Sequence, residues 1–263
     1  MLDTQPSSWV MLTLAASVTF FSTAIGAVPS FFIKTMSTKL SDWLTGLSAG
    51  VMFAAAAYSL IEPSLNLFRE HYSTWQTALA AGGMIMLGGY LLHFANERIP
   101  HEHFVRGREG KGHDSVQLKR IWLYVLAITI HNIPEGLAVG VGAGSGNLAL
   151  GLPVMIGIGI QDIPEGLIVA LALRSQNYTN RQSMMVAALT GVVEAIGAIA
   201  GFTAVHFFAS ILPWTLAFSG GMMIYIICHE MIPECHRNGF EREATFGIMI
   251  GFTAMVLLEL LLR

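Results

Sequence analysis

The sequence predicts an all-α integral membrane protein with eight transmembrane helices, and three observations carry that prediction. Of 263 residues, 54% are hydrophobic and only 12% charged, far from the balance of a soluble domain. The charges collect in short clusters between long apolar runs, and about 20 apolar residues cross a bilayer core as a helix. The runs are unbroken rather than alternating in polarity, which excludes a closed barrel.

The first span, Trp9 to Ile33, has no basic n-region before it and no small-residue cleavage site after it, so it reads as a retained helix. Trp43–Ile61 and Ser73–Ala95 follow. After Ala95 the chain turns charged and glycine-bearing from Asn96 to Arg120, with His101, His103 and His113, and reads as a flexible cytoplasmic loop. Ile121–Gly144 and Leu148–Leu173 are joined by the tight Gly-Ser-Gly-Asn turn at 144–147, which makes them antiparallel neighbours. Ser183–Phe207, Leu212–His229 and Ala244–Leu262 complete a single transmembrane domain over residues 1–263.

Twelve of the fourteen Lys and Arg residues fall in the loops after spans 1, 3, 5 and 7; only Arg69 and Arg263 lie on the other side. Short basic loops stay in the cytoplasm. Both termini are therefore expected on the extracytoplasmic side. Cys228 and Cys235 lie near the cytoplasmic end of span 7 and read as free thiols.

Two near-identical hexapeptides stand out: HNIPEG at His131–Gly136 and QDIPEG at Gln161–Gly166. They lie on consecutive antiparallel spans, which is the mark of an inverted repeat flanking a mid-membrane site. The clearly buried acids of the spans are Glu135, Asp162, Glu165 and Glu194, with no Lys or Arg at comparable depth. His131 lies eleven residues past Arg120, Glu194 thirteen past Arg181, and Asp162 twelve before Arg174. At 1.5 Å per residue each is about 15–20 Å from the basic boundary, near the middle of a core about 30 Å thick. Met52, ten residues past Asp42, reaches a similar level.

An isolated carboxylate at that depth costs on the order of several kcal/mol, so four of them require protons or a bound cation. His131 and Glu135 are i, i+4; Asn132 and Glu135 are i, i+3; Gln161, Asp162 and Glu165 share one face in the same way. Carboxylate and amide oxygens with an imidazole suit Zn, Fe, Mn or Cd ions, and a thioether from Met52 favours the softer members. Pro134 and Pro164 each remove a backbone donor, freeing the carbonyls of Ile130 and Ile160 beside the site. His229 and Glu230, in CHEMIPECH at the end of span 7, are candidates for an exit site. A zinc protease would need a His pair such as H-E-x-x-H, but the fifth position from His229 is Pro233, and Ser145 sits in a glycine turn, so neither protease class is supported. A relay that handles protons without metal leaves the His-Asn-Gln set beside the acids unexplained.

Together HNIPEGLAVGVG, QDIPEGLIVALAL, GVVEAIGA and HEMIPECHRNG resemble the ZIP (Zrt/Irt-like protein) divalent metal transporters, on the bacterial GufA-like branch. The resemblance implies a 3+2+3 arrangement of eight helices and a binuclear site moving zinc, or Cd, Fe or Mn, into the cytoplasm. It places Met52, His131, Glu135, Gln161 and Glu165 around one ion and Asn132, Glu135, Asp162, Glu165 and Glu194 around the other, with His229 and Glu230 toward the exit. The metal is the substrate, and no prosthetic group is expected. Divalent metal ions and lipid are the expected partners, with a second copy of the chain in a homodimer and no nucleic acid. The expected location is a bacterial inner membrane.

Overall fold

The computed structural model describes residues 7–98 and 115–262, and His101, His103 and His113 lie outside the described residues. Eight helices are long and apolar enough to cross a membrane. They are α1 (Ser8–Phe31), α2 (Thr38–Arg69), α3 (Thr74–Arg98), α4 (Ser115–Gly144), α5 (Leu148–Ser175), α6 (Asn180–Phe207), α7 (Ala209–Cys235) and α8 (Glu241–Leu262). No strand occurs among the described residues. The segment read as a loop from Asn96 to Arg120 is shorter than expected, because α3 continues to Arg98 and α4 begins at Ser115.

Local signals start the helices. Ser37 Oγ accepts the Leu40 amide at the head of α2, Asn147 Oδ1 accepts the Ala149 amide at 3.0 Å at the head of α5, and Thr179 and Gln182 form a reciprocal capping box on α6. Between α4 and α5, Gly146 takes φ +72°, a conformation open to glycine, and the chain reverses there.

Two spans run on well past the C-terminal ends the sequence reading gave them. α2 was expected to end at Ile61 and α7 at His229; they run on to Arg69 and Cys235. In each, a π-helical stretch lies just ahead of a proline: Ala55–Ile61 before Pro63, and Ile227–Met231 before Pro233. A proline leaves the carbonyl four residues back without its donor and presses its ring against it. The wider π turn shifts the hydrogen-bond pattern by one residue and lets the helix continue through.

The helices pack in two groups. α1, α4, α5 and α6 pack on one another, while α2 packs on α8 and α3 on α7, with α2 also against α7. A seam separates the groups, along which α2 lies on α5 and α4 on α7. Contact within each group is backbone to backbone. A Cβ at Gly136 would run into the Glu194 carbonyl and one at Gly140 into that of Ala198, while Gly197 and Gly201 of α6 meet the Ile133 and Leu137 carbonyls of α4. Small residues at such spacing are how membrane helices gain contact where lipid is as apolar as the side chains. Outward, α3 presents Trp75, Leu79, Met86 and Tyr90, all exposed, as a lipid-facing surface requires.

Candidate metal centre

Close packing of α4 on α6 sets Glu135 and Glu194 at one level, since Gly136 rests on the Glu194 backbone itself. α5 lies beside both and adds Asp162. Oxygen atoms of Glu135, Asp162 and Glu194 all lie within 4.8 Å of one another, and all three residues are buried. Pro134 and Pro164 sit inside α4 and α5 without breaking either helix, one residue before Glu135 and Glu165.

The hydrogen-bonding state of this cluster is its most informative property. Gln161 Nε2 donates to Asp162 Oδ1 at 2.8 Å. Both oxygens of Glu135, both of Glu194, the other oxygen of Asp162 and the amide oxygens of Asn132 and Gln161, seven in all, accept no hydrogen bond of ordinary distance and angle, although the Gln161 side chain lies within reach of Glu135 and the Asp162 and Glu194 carboxyls within reach of each other. Every one is an acceptor. Among the described residues no Lys or Arg forms an ion pair with the three acids. Buried polar atoms are almost always satisfied, and an unmade bond costs about 1–3 kcal/mol. So many undersatisfied acceptors at one point describe a donor set waiting for a cation, and oxygen-rich sets of this kind suit divalent ions.

His131 and Glu165 stand beside that cluster rather than inside it. Both are partly exposed and line a cavity of about 60 Å³, together with Thr45, Ser48, Glu230 and Glu234. The His131 ring nitrogen Nε2 pairs with Glu230 of α7, a contact made across the seam. Ser48 of α2 makes a second one, its Oγ donating to the Gln161 carbonyl at 3.4 Å. A larger cavity of about 420 Å³ shares Thr45, Ile168 and Glu234 with the first. It is bordered by Lys34, Ser175 and Asn238, from the α1–α2, α5–α6 and α7–α8 ends, so a path leads from His131 and Glu165 to the side of the basic loops.

The other sequence candidates fall as follows. Asn132 and Gln161 are buried at the cluster; Met52 is fully buried in α2, one turn beyond the cavity-lining Ser48. His229 and Glu230, read as a pair, are separated. Glu230 turns inward to His131, whereas His229 is exposed and stacks on Tyr225 with ring centroids 4.9 Å apart. Two further histidines are engaged away from the site: His93 meets the Tyr225 hydroxyl at 3.0 Å and His206 stacks on Phe202. Cys228 and Cys235 are free thiols.

Sequence reading took Glu230 as an exit candidate at the membrane boundary, whereas it is buried against His131; its i, i+4 spacing to Glu234, the same as that of His131 and Glu135, was the available signal for its direction. One buried acid was missed. Glu259, near the far end of α8, is 4% exposed and accepts the Ser59 hydroxyl at 2.5 Å. Its spacing of four from the buried Met255 places it on the inward face.

The ZIP Zinc transporter family model matches residues 100–259. The chain belongs to this family. The matched segment holds every candidate ligand except Met52, and the family is one of metal transporters rather than enzymes. Among curated relatives, the chain is 43% identical over 240 residues to "Zinc transporter GufA" of Myxococcus xanthus, covering 91% of this chain and 94% of that one. It is 38% identical to "Zinc transporter ZIPB" of Bordetella bronchiseptica, covering 94% of this chain and 79% of the relative. With "Zinc transporter ZupT" of Chlorobium phaeovibrioides the identity is 31%, over 96% of this chain and 97% of the relative.

Proposed function

We propose that this ZIP-family chain carries divalent transition-metal cations across a bacterial inner membrane into the cytoplasm, zinc foremost and Cd, Fe and Mn within the same donor chemistry. The observation that carries the reading is the cluster of Glu135, Asp162 and Glu194, buried with seven oxygens around it that accept no ordinary hydrogen bond and no cationic partner among the described residues. A travelling dication supplies the positive charge that these side chains lack. The relatives named as zinc transporters put zinc first among the candidate ions.

In this reading two ions occupy the site. Met52, His131, Glu135, Gln161 and Glu165 hold one, while Asn132, Glu135, Asp162, Glu165 and Glu194 hold the other, with the two glutamates shared. Basic loops put the cavity mouth in the cytoplasm and both termini outside. The structure is then open inward: the path from His131 and Glu165 passes Glu230 and Glu234. The seam between the two helix groups supplies the alternation, since sliding one group along the other closes this path and opens one from the opposite face. The His131–Glu230 pair must part when an ion takes the imidazole, which couples occupancy to movement across the seam. Two copies of the chain form a homodimer in the same proposal, and sedimentation in detergent tests that separately.

Radioactive zinc uptake into proteoliposomes tests the function. Glu135→Ala abolishes uptake while the protein still inserts and purifies as a folded species. Uptake equal to that of the unaltered chain refutes the assignment of Glu135.

A further inference from the structure

On the lipid-facing side of α1 and α5, away from the metal centre, an apolar furrow ends in a charge that no carboxylate meets. The two helices cross the membrane in the same direction and pack backbone to backbone: a Cβ at Gly26 would run into the Ile163 carbonyl, and one at Gly166 into that of Thr23. Beside this contact both helices turn apolar side chains outward, Phe21 and Ile25 from α1 and Ile160 and Ile163 from α5, all exposed. Two backbones this close leave a furrow between the outward side chains. Arg174 lies eleven residues past Ile163 and Phe32 eleven past Phe21, three turns in each case, so both continue the lining faces to the side of the basic loops. The furrow is therefore about 16 Å long, close to one leaflet of a core about 30 Å thick.

Arg174 is held at the end of this furrow with donors unused. Its Nη1 donates to the Tyr178 carbonyl at 3.0 Å, and Tyr178 is itself fixed by Trp122, whose Nε1 donates to the Tyr178 hydroxyl at 2.9 Å. Nε is shielded from water and has no hydrogen-bond partner. Lys34, exposed just past α1, borders the same cavity as Ser175, the residue next to Arg174. Among the described residues neither cation forms an ion pair, and the acids of that cavity, Asp42 and Glu234, belong to α2 and α7 and pair with neither. A guanidinium is a planar fork that matches a phosphate two donors at a time. With Nη1 pinned, the edge formed by Nε and Nη2 remains for such a partner. An uncompensated arginine and a lysine at the head of an apolar furrow one leaflet long have the outline of a phospholipid, and basic pockets between helices on this side of a membrane take anionic headgroups.

We propose that the α1–α5 furrow seats one anionic phospholipid from the leaflet on the side of the basic loops, with its phosphate on Arg174 and Lys34 and an acyl chain along Ile25 and Ile163. This seat is independent of the transport reading.

Native mass spectrometry of the full-length chain in detergent, with phosphatidylglycerol or phosphatidylcholine added, tests it. The unaltered chain retains one phosphatidylglycerol in preference to phosphatidylcholine. Arg174→Gln and Lys34→Gln each weaken that retention by about tenfold, and Arg174→Lys, which keeps the charge but loses the fork, falls between. Arg181→Gln leaves retention unchanged, because Arg181 heads a different exposed face, that of Met185 and Leu189 on α6. This control separates a seat from the general attraction of a basic surface for anionic lipid. Ile25→Trp fills the furrow with both cations intact and weakens retention too. Equal melting temperatures in lipid-free detergent establish that the variants are folded, and Lys34→Gln, at an exposed position, carries the test alone if Arg174→Gln is not. Retention by the folded charge variants equal to that of Arg181→Gln overturns the proposal. So does displacement of the lipid by inorganic phosphate, which marks a free-anion site, and so does a change from dimer to monomer in Ile25→Trp without loss of lipid, which gives the furrow to a second copy of the chain.

Discussion

Substituting Gly201 by alanine tests whether the α4–α6 contact sets the geometry of the metal site. A Cβ at residue 201 would stand 2.5 Å from the Leu137 carbonyl oxygen and 3.0 Å from the Val141 nitrogen, both backbone atoms that no rotamer change can move. Relief to an ordinary contact of about 3.5 Å requires the helices to part locally by roughly 1 Å. Overpacking of this kind costs about 1–3 kcal/mol. Glu194 lies two turns away on the same face of α6, so it moves with the helix, while metal sites tolerate ligand displacements of only about 0.2 Å. Gly201→Ala should therefore weaken Cd²⁺ binding by at least about tenfold, equivalent to about 1.4 kcal/mol. Gly197→Ala, whose nearest contact is 3.0 Å from the Ile133 carbonyl, should show a smaller loss. Gly82→Ala on α3 has nothing within 4 Å and should leave binding intact. The assay is the melting temperature in detergent with and without Cd²⁺, read beside zinc uptake. A Gly201→Ala protein whose Cd²⁺-induced shift matches that of Gly82→Ala refutes the argument.

Other perturbations follow from the same geometry. Saturation with Cd²⁺ at about 100 times its Kd should stabilise the unaltered chain by about 2.7 kcal/mol, and Asp162→Ala should lose most of that gain; an undiminished melting shift counts against Asp162 as a ligand. Met52→Leu keeps the volume of a fully buried side chain but removes the thioether, so uptake of Cd²⁺ relative to Mn²⁺ should fall; an unaltered ratio removes Met52 from the ligand set. With Cys228 and Cys235 replaced by serine, a membrane-impermeant thiol reagent applied to intact cells should label Ser145→Cys at the α4–α5 turn and spare Ser175→Cys at the end of α5. The reverse pattern inverts the proposed orientation.

The number and order of spans were legible because a bilayer imposes length and apolarity on each crossing, and nothing local competes with that demand. The two spans that overran their expected C-terminal ends furthest carry a proline near that boundary. Pro63 and Pro233 look like stops, whereas the π stretches ahead of them absorb the missing donor and carry α2 and α7 onward. Extending α7 to Cys235 moved Glu230 from the boundary into the interior. The meeting of Glu135 with Asp162 and Glu194 was anticipated from depth and repeat symmetry, both of which follow from rise per residue. Side-chain direction was not: it depends on which helices share a seam, so the pairing of Glu230 with His131 and the turning away of His229 required tertiary contacts. The role of glycine in bringing α4 against α6 was visible as Gly136, Gly140, Gly197 and Gly201, but which helix each faced was not.

The central claim is that a dication, and not protons or a built-in counter-charge, neutralises the buried acids. Anomalous scattering from crystals grown with Cd²⁺ tests it most directly. The account predicts a strong peak at coordination distance from Glu135, Asp162 and Glu194. Crystals of a transport-competent protein in which Cd²⁺ lies elsewhere and these three carboxyl groups hydrogen-bond to one another would contradict it.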